Sequence, residues 1–265
     1  MKPINYFSAA ILVLLISSLM IFGQDEPSKE SLNTHPATLS CSELPALIES
    51  IDETMGTRQG LLVAQHLLDS TLQVFKGKKY TSFDSACAMH LAKLHFLKER
   101  NEKRLFPRRE GKIDTAKKWL NAGLQIAKPY APNGNHIIGE LYMSLGTQFK
   151  QAEIYDSAIY YYEILIDHLS QNSSPTENER IQFVKACNNL GGAYQDIGQI
   201  RYAIPLYEKA DSTLSFIPIE SILKTSSAIY SNWGNANFDL GEFERSQVIL
   251  NKNKELLENF YPTTA

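Results

Sequence analysis

Cys87 and His90 have the spacing for chemistry. In Cys87-Ala88-Met89-His90 a thiol and an imidazole lie one turn apart on one helical face. Such a pair can serve as a nucleophilic dyad or as half of a zinc site. No second Cys/His pair at ligand spacing accompanies it, and His95 falls elsewhere on the same helix. Both residues interrupt an apolar stripe, so packing accounts for them without catalysis. His35, His66, His136 and His168 are isolated. The three cysteines, at 41, 87 and 187, are too few for a disulfide framework. Cys187 lies one turn before Leu190 on a packing face and reads as a small buried hydrophobe. Cys41 and Cys87 can pair if the compartment is oxidising, but sequence does not give their separation. Phosphate-loop and H-E-x-x-H motifs are absent. Glu177/Glu179 and Glu242/Glu244 lie at helix starts, where negative charge is favoured anyway. The expectation is a protein that is not an enzyme and uses no cofactor or metal.

The elements that position these residues are set by a repeat. Leu145-Gly146, Leu190-Gly191 and Trp233-Gly234 start the same layout, 45 and 43 residues apart. A large aromatic follows each Gly after three positions (Phe149, Tyr194) or four (Phe238). Twelve positions after the Gly comes a small residue (Ala158, Ala203, Ser246), and four later a large one (Tyr162, Tyr207, Leu250). A fixed period of this length marks stacked units. Each unit holds two apolar-periodic helical stretches around a short polar turn. Small residues on both helices let the backbones approach, and the aromatics fill the space beside the contact. The expected fold class is therefore all-α.

This layout, with Lys185-Ala186-Cys187-Asn188-Asn189-Leu190-Gly191, resembles the tetratricopeptide (TPR) repeat of the kinesin-light-chain type. That type also occurs beside CHAT protease domains. The resemblance covers roughly residues 80–260. It implies stacked antiparallel helix hairpins in a right-handed superhelix, an α-solenoid. Ser246 for Ala, Asn253 for Ala and the shifted Phe238 depart from the pattern.

Taken in order, residues 1–24 read as an export signal: Lys2, then an uncharged apolar run of 15 residues from Ser8 to Phe22. That run is short for a membrane span of about 20 residues. The expected location is periplasmic or secreted, with an uncleaved membrane anchor as the alternative. Residues 25–41 read as a flexible linker and 42–130 as degenerate N-terminal helical repeats. Residues 131–265 read as the TPR array. Helices are expected over Ser42–Glu53, Gly60–Phe75, Phe83–Glu102 and Asp114–Lys128. Lys103 to Gly111 is a solvated connector, its basic charge diluted by Glu99, Glu102 and Glu110. Gly111 precedes Ala116 by five, as Gly198 precedes Ala203 and Gly241 precedes Ser246. Ser174-Pro175-Thr176-Glu177 reads as a helix start capped by Ser174. The last helix carries Val248, Ile249, Leu250, Leu256 and Leu257, an apolar face suited to self-association or to a following unit.

The net charge of −3 gives no basic excess for nucleic acid. By the TPR resemblance, the first helix of each hairpin lines a concave groove. The inner surface then shows Met143, Thr147 and Lys150, next Asn188, Asn189, Gly192 and Gln195, then Ser231, Asn232, Asn235 and Phe238. Carboxamides in successive units suit an extended peptide backbone. Met143, Thr147 and Ala228 stand where chaperone-binding repeats carry carboxylate-holding charges. The expected function is an exported scaffold for a protein or peptide partner. The alternative is the sensing part of a larger CHAT-protease or sensor-kinase polypeptide.

Overall fold

The computed structural model describes residues 39–78, 83–107, 110–131 and 135–261. The leader and all of the linker before residue 39 lie outside the described residues. So do Arg108 and Arg109 of the basic connector and residues 132–134 of the loop before the array. Among the described residues every regular element is helical. The chain divides into two compact units, one ending at Gly134 and one starting at Asn135.

The first unit opens on a single 3-10 turn, Cys41–Glu43, followed by α1 (Leu44–Thr54), α2 (Arg58–Phe75), α3 (Ser85–Leu105) and α4 (Lys112–Ala127). Pro45 sits in the first turn of α1, where no helical hydrogen bond is lost. Leu44, Leu47 and Ile51 fall on one side of α1 and are buried against α2 and α3. The Thr57 hydroxyl caps α2 by accepting from the Gly60 N–H at 3.0 Å. Asp84 caps α3 by accepting from the Cys87 N–H at 2.7 Å. The helix runs on through Lys103 and Arg104 to Leu105, so the connector begins later than expected.

Helices α3 and α4 pack as a hairpin. At its centre Lys98 is buried yet paired, 2.6 Å from Asp69 of α2 and 3.4 Å from Glu102. A buried ammonium needs such partners to offset its lost hydration. His95 packs beside Trp119 at 5.8 Å, and burial lowers its pKa to about 4.

The second unit is three hairpins: α5 (Asn135–Gln151) with α6 (Tyr155–Ser170), α7 (Glu177–Asp196) with α8 (Ile200–Leu214), and α9 (Ile219–Asp239) with α10 (Phe243–Phe260). Within it the first helices α5, α7 and α9 pack along one another. The second helices meet each other at most marginally, α6 and α8 being covered instead by the next first helix.

The period has a steric cause. A Cβ added at Gly146 would come within 2.5 Å of the Tyr162 ring, and one at Gly191 within 2.7 Å of Tyr207. At Gly234 it would come within 2.5 Å of Leu250. The bare glycine therefore receives the large residue of the second helix, not the small one as the sequence suggested. Ala158, Ala203 and Ser246 are buried in their own right.

Two further details correct the sequence reading. Helix α7 is capped by Thr176, not Ser174: the Thr176 hydroxyl accepts from the Glu179 N–H at 3.3 Å, and the Glu179 carboxylate accepts from the Thr176 N–H at 2.8 Å. The Ser174 N–H is already given to Asn172 Oδ1 at 3.0 Å in the preceding turn. Phe238 does not fill the aromatic place of the last hairpin. Asn237 is buried there, donating to the Trp233 carbonyl at 2.7 Å, and Phe238 turns outward.

Candidate protein-binding surface

The Cys87–His90 dyad does not exist as a nucleophile. Cys87 is disulfide-bonded to Cys41, with Cα atoms 5.2 Å apart, so it has no thiolate to offer. The same bond makes Cys41 part of the packed first unit and not the end of a flexible linker. Cys187 is buried and free, its thiol pushed up to about 12 by burial. Among the described residues no group of three His, Cys, Asp or Glu side chains is placed to hold a metal ion.

The expected binding residues lie on α5, α7 and α9, and many of them are bonded to neighbouring helices or to one another. Asn232 Nδ2 donates to Asn188 Oδ1 at 3.0 Å, and Asn189 Nδ2 donates to Met143 Sδ at 3.3 Å. Gln195 Nε2 reaches the Asn232 carbonyl at 3.5 Å, while the Tyr207 hydroxyl donates to Gln195 Oε1. Lys150 lies 3.2 Å from Asp196 of the next hairpin. The Thr147 hydroxyl donates to the Met143 carbonyl at 2.8 Å and meets the Tyr162 hydroxyl at 3.2 Å. Ser231 Oγ accepts from Asn253 Nδ2 at 2.9 Å, which gives the Asn at an alanine position a purpose. Asn235 and Phe238 are exposed, Phe238 edge-on to Phe243 with ring centres 5.2 Å apart.

Several of these carboxamides thus join one repeat to the next. Each such bond contributes about 0.5–1.5 kcal/mol and fixes the register of the first helices. A carboxamide offers two donors and an acceptor oxygen with two lone pairs, so one bond does not exhaust it.

Sequence reasoning missed Gln182. It donates from Nε2 to the His136 carbonyl and contacts His136 Nδ1, both at 3.0 Å. Gly139 leaves the space that its amide fills. The signal was the repeat period itself, applied to polar residues: Gln182–His136 and Asn189–Met143 are 46 apart, and Asn232–Asn188 are 44 apart. A second missed group is Tyr230, whose hydroxyl donates to Asp211 at 2.7 Å while Lys252 also reaches Asp211 at 2.7 Å. Burial, then the Asp211 bond and charge, push the Tyr230 pKa above its ordinary value. In the preceding hairpins Tyr194 donates to Glu163 at 2.9 Å, and its pKa is pushed up to about 12 by burial and that acceptor.

No protein-family model matches the sequence, and no curated protein matches it. Solved structures do match the architecture. A kinesin-light-chain-type protein of Podospora anserina, with nearly identical TPR-like repeats, superposes with a TM-score of 0.60 at 14% identity. That match covers 85% of this chain and 100% of the other. BtubC (BKLC) of P. vanneervenii gives a TM-score of 0.53 at 13% identity, over 86% of this chain and 96% of that one. Paired helices, matched glycine sockets and these neighbours agree: the chain has the TPR-like fold of stacked helix hairpins.

Proposed function

We propose that this protein is an exported, non-enzymatic scaffold that holds a peptide or partner protein on the inner face of α5, α7 and α9. The observation that carries the reading is the alignment of those three helices. The Asn232–Asn188 and Asn189–Met143 bonds tie side chains of successive first helices together and hold the three in register before any ligand arrives. Pre-ordering lowers the entropy cost of gripping an extended ligand. Export is supported by the apolar run after Lys2 and by the Cys41–Cys87 bond, because disulfides persist in oxidising compartments. Among the described residues no helix is long and apolar enough to cross a membrane.

Asn235→Arg places a bulky charge on the exposed part of this face without touching the packed bonds. Partners recovered with the wild-type chain and identified by mass spectrometry should be lost with Asn235→Arg at an unchanged melting temperature. Equal recovery would sink the groove reading. N-terminal sequencing of the protein from each cell fraction tests export and anchoring together.

A second reading makes the array the sensing part of a longer CHAT-protease or sensor-kinase polypeptide. The uncovered apolar face of the last hairpin favours it. An in-frame effector domain in the downstream coding sequence would support it, and a stop codon there would remove it.

A further inference from the structure

The Cys41–Cys87 bond joins two sulfurs in unequal surroundings. Cys87 is 2% exposed, whereas Cys41 is half-buried, at the start of the turn that opens the first unit. That turn is held locally by Ser40, whose N–H and hydroxyl both donate to the Glu43 carboxylate at 2.8 Å. Cys87 lies in the first turn of α3. Its N–H is given to Asp84 at 2.7 Å, which draws that carboxylate to the backbone. His90 stands one turn further along α3, on the same side as Cys87. Its Nδ1 is buried and has no hydrogen-bond partner. A buried ring nitrogen left in this way is uncommon in native structures.

We propose that Cys41–Cys87 is an exchangeable disulfide, with Cys41 as the sulfur attacked by a small external thiol and Cys87 as the leaving group. A thiolate attacks the Cys41 Sγ, the Sγ–Sγ bond breaks, and its electron pair departs on the Cys87 Sγ, which takes a proton from water. Cys41 then carries the incoming thiol as a mixed disulfide. A second thiolate displaces Cys41 from it. In sum two small thiols are oxidised to one disulfide, and the protein's bond is reduced to two thiols. Three features favour this direction. Exchange needs access to the attacked sulfur, and Cys41 is the more accessible of the two. Negative charge developing on Cys87 faces the N-terminus of α3, where the helix dipole favours it. Asp84 opposes that charge, but its carboxylate is already engaged by the Cys87 N–H. Finally, the reduced Cys87 has an S–H to give to His90 Nδ1, and the disulfide has none. His90 is thus a positioning residue that favours the reduced state. The exchange site is separate from the groove of the proposed function and does not depend on it.

The test uses the full chain and glutathione. The folded protein is exposed to a series of glutathione concentrations, quenched, alkylated and mapped by mass spectrometry. Opening of the bond should be first-order in glutathione. The glutathionyl group should sit on Cys41 about tenfold more often than on Cys87. In a glutathione redox buffer, His90→Leu should shift the equilibrium several-fold toward the disulfide. His90→Gln, which keeps an acceptor, should shift it less. An opening rate that ignores glutathione and matches global unfolding by hydrogen exchange would overturn the proposal, because the bond would then open only in the unfolded chain. So would an adduct found chiefly on Cys87, or an equilibrium that His90→Leu leaves unmoved. Asn235→Arg should leave the exchange unchanged, which separates failure of this site from failure of the groove.

Discussion

The Tyr207 ring occupies the space that a side chain on Gly191 would fill: a Cβ there would lie 2.7 Å from the ring. Tyr207 is fully buried and lies on the helix paired with that of Gly191, so it cannot swing away. Alanine would gain about 1 kcal/mol of helix propensity. Overpacking costs about 1–3 kcal/mol and wins where the obstacle is a rigid ring. Gly191→Ala and Gly146→Ala should therefore lower stability by up to about 2 kcal/mol in denaturant titrations. Gly234→Ala should cost less, because half-exposed Leu250 can move aside.

Glu153 holds the backbone position that Gly198 and Gly241 hold in the next two hairpins. Its φ is +61°, against +74° and +78° for the glycines. Each lies five residues before the small residue of its second helix, at Ala158, Ala203 and Ser246. The left-handed conformation costs a non-glycine residue about 1–2 kcal/mol. Glycine's extra freedom in the unfolded chain returns about 0.5–1 kcal/mol of that cost. Glu153→Gly should therefore raise stability by about 0.5–1 kcal/mol, and Gly198→Ala should lower it. Opposite signs of the melting-temperature shift check this.

The Cys41–Cys87 bond closes a loop with a sequence separation of 46. Chain-entropy reasoning assigns about 4 kcal/mol to a loop of that length, with native systems commonly nearer 2–4. Reduction, or Cys41→Ser with Cys87→Ser, should destabilise the first unit by that order. Hydrogen exchange should locate the loss in α1–α3, with the second unit unaffected. Thiol labelling of the unfolded, unreduced chain should find one reactive cysteine, Cys187, and labelling after reduction should find three.

His95 makes the first unit acid-sensitive. Burial lowers its pKa from 6.5 to about 4. The unfolded chain then binds a proton more readily than the folded one. Stability is full above about pH 6.5 and is lost as pH falls toward 4, by up to about 3 kcal/mol. His95→Phe, which keeps a ring against Trp119, should flatten that part of the pH–stability curve. An unchanged slope would place the acid sensitivity in other groups.

The tyrosines act at the other end. Tyr162 and Tyr194 are raised from 10.0 to about 12, burial being the largest cause for both. Their contribution is whole below pH 10 and fades as pH rises through 12. Tyr162→Phe should reduce the alkaline loss between those limits, read as a shift in the ultraviolet-detected unfolding midpoint.

The hairpin count in the array and its turn positions were legible in the residues alone. They depend on volumes at short range: Gly146 and Tyr162, Gly191 and Tyr207, Gly198 five before Ala203. Helix periodicity and the left-handed turn are local constraints, so a single chain displays them. Three things needed the tertiary structure. Whether Cys41 meets Cys87 depends on how α1 docks on α3, not on either local sequence. Which carboxamides tie repeats together depends on contacts between residues a full period apart, as for Asn188 with Asn232 and His136 with Gln182. Whether Phe238 or Asn237 faces inward turned on one residue of helical phase, about 100° of rotation, which a pattern of apolar letters does not resolve.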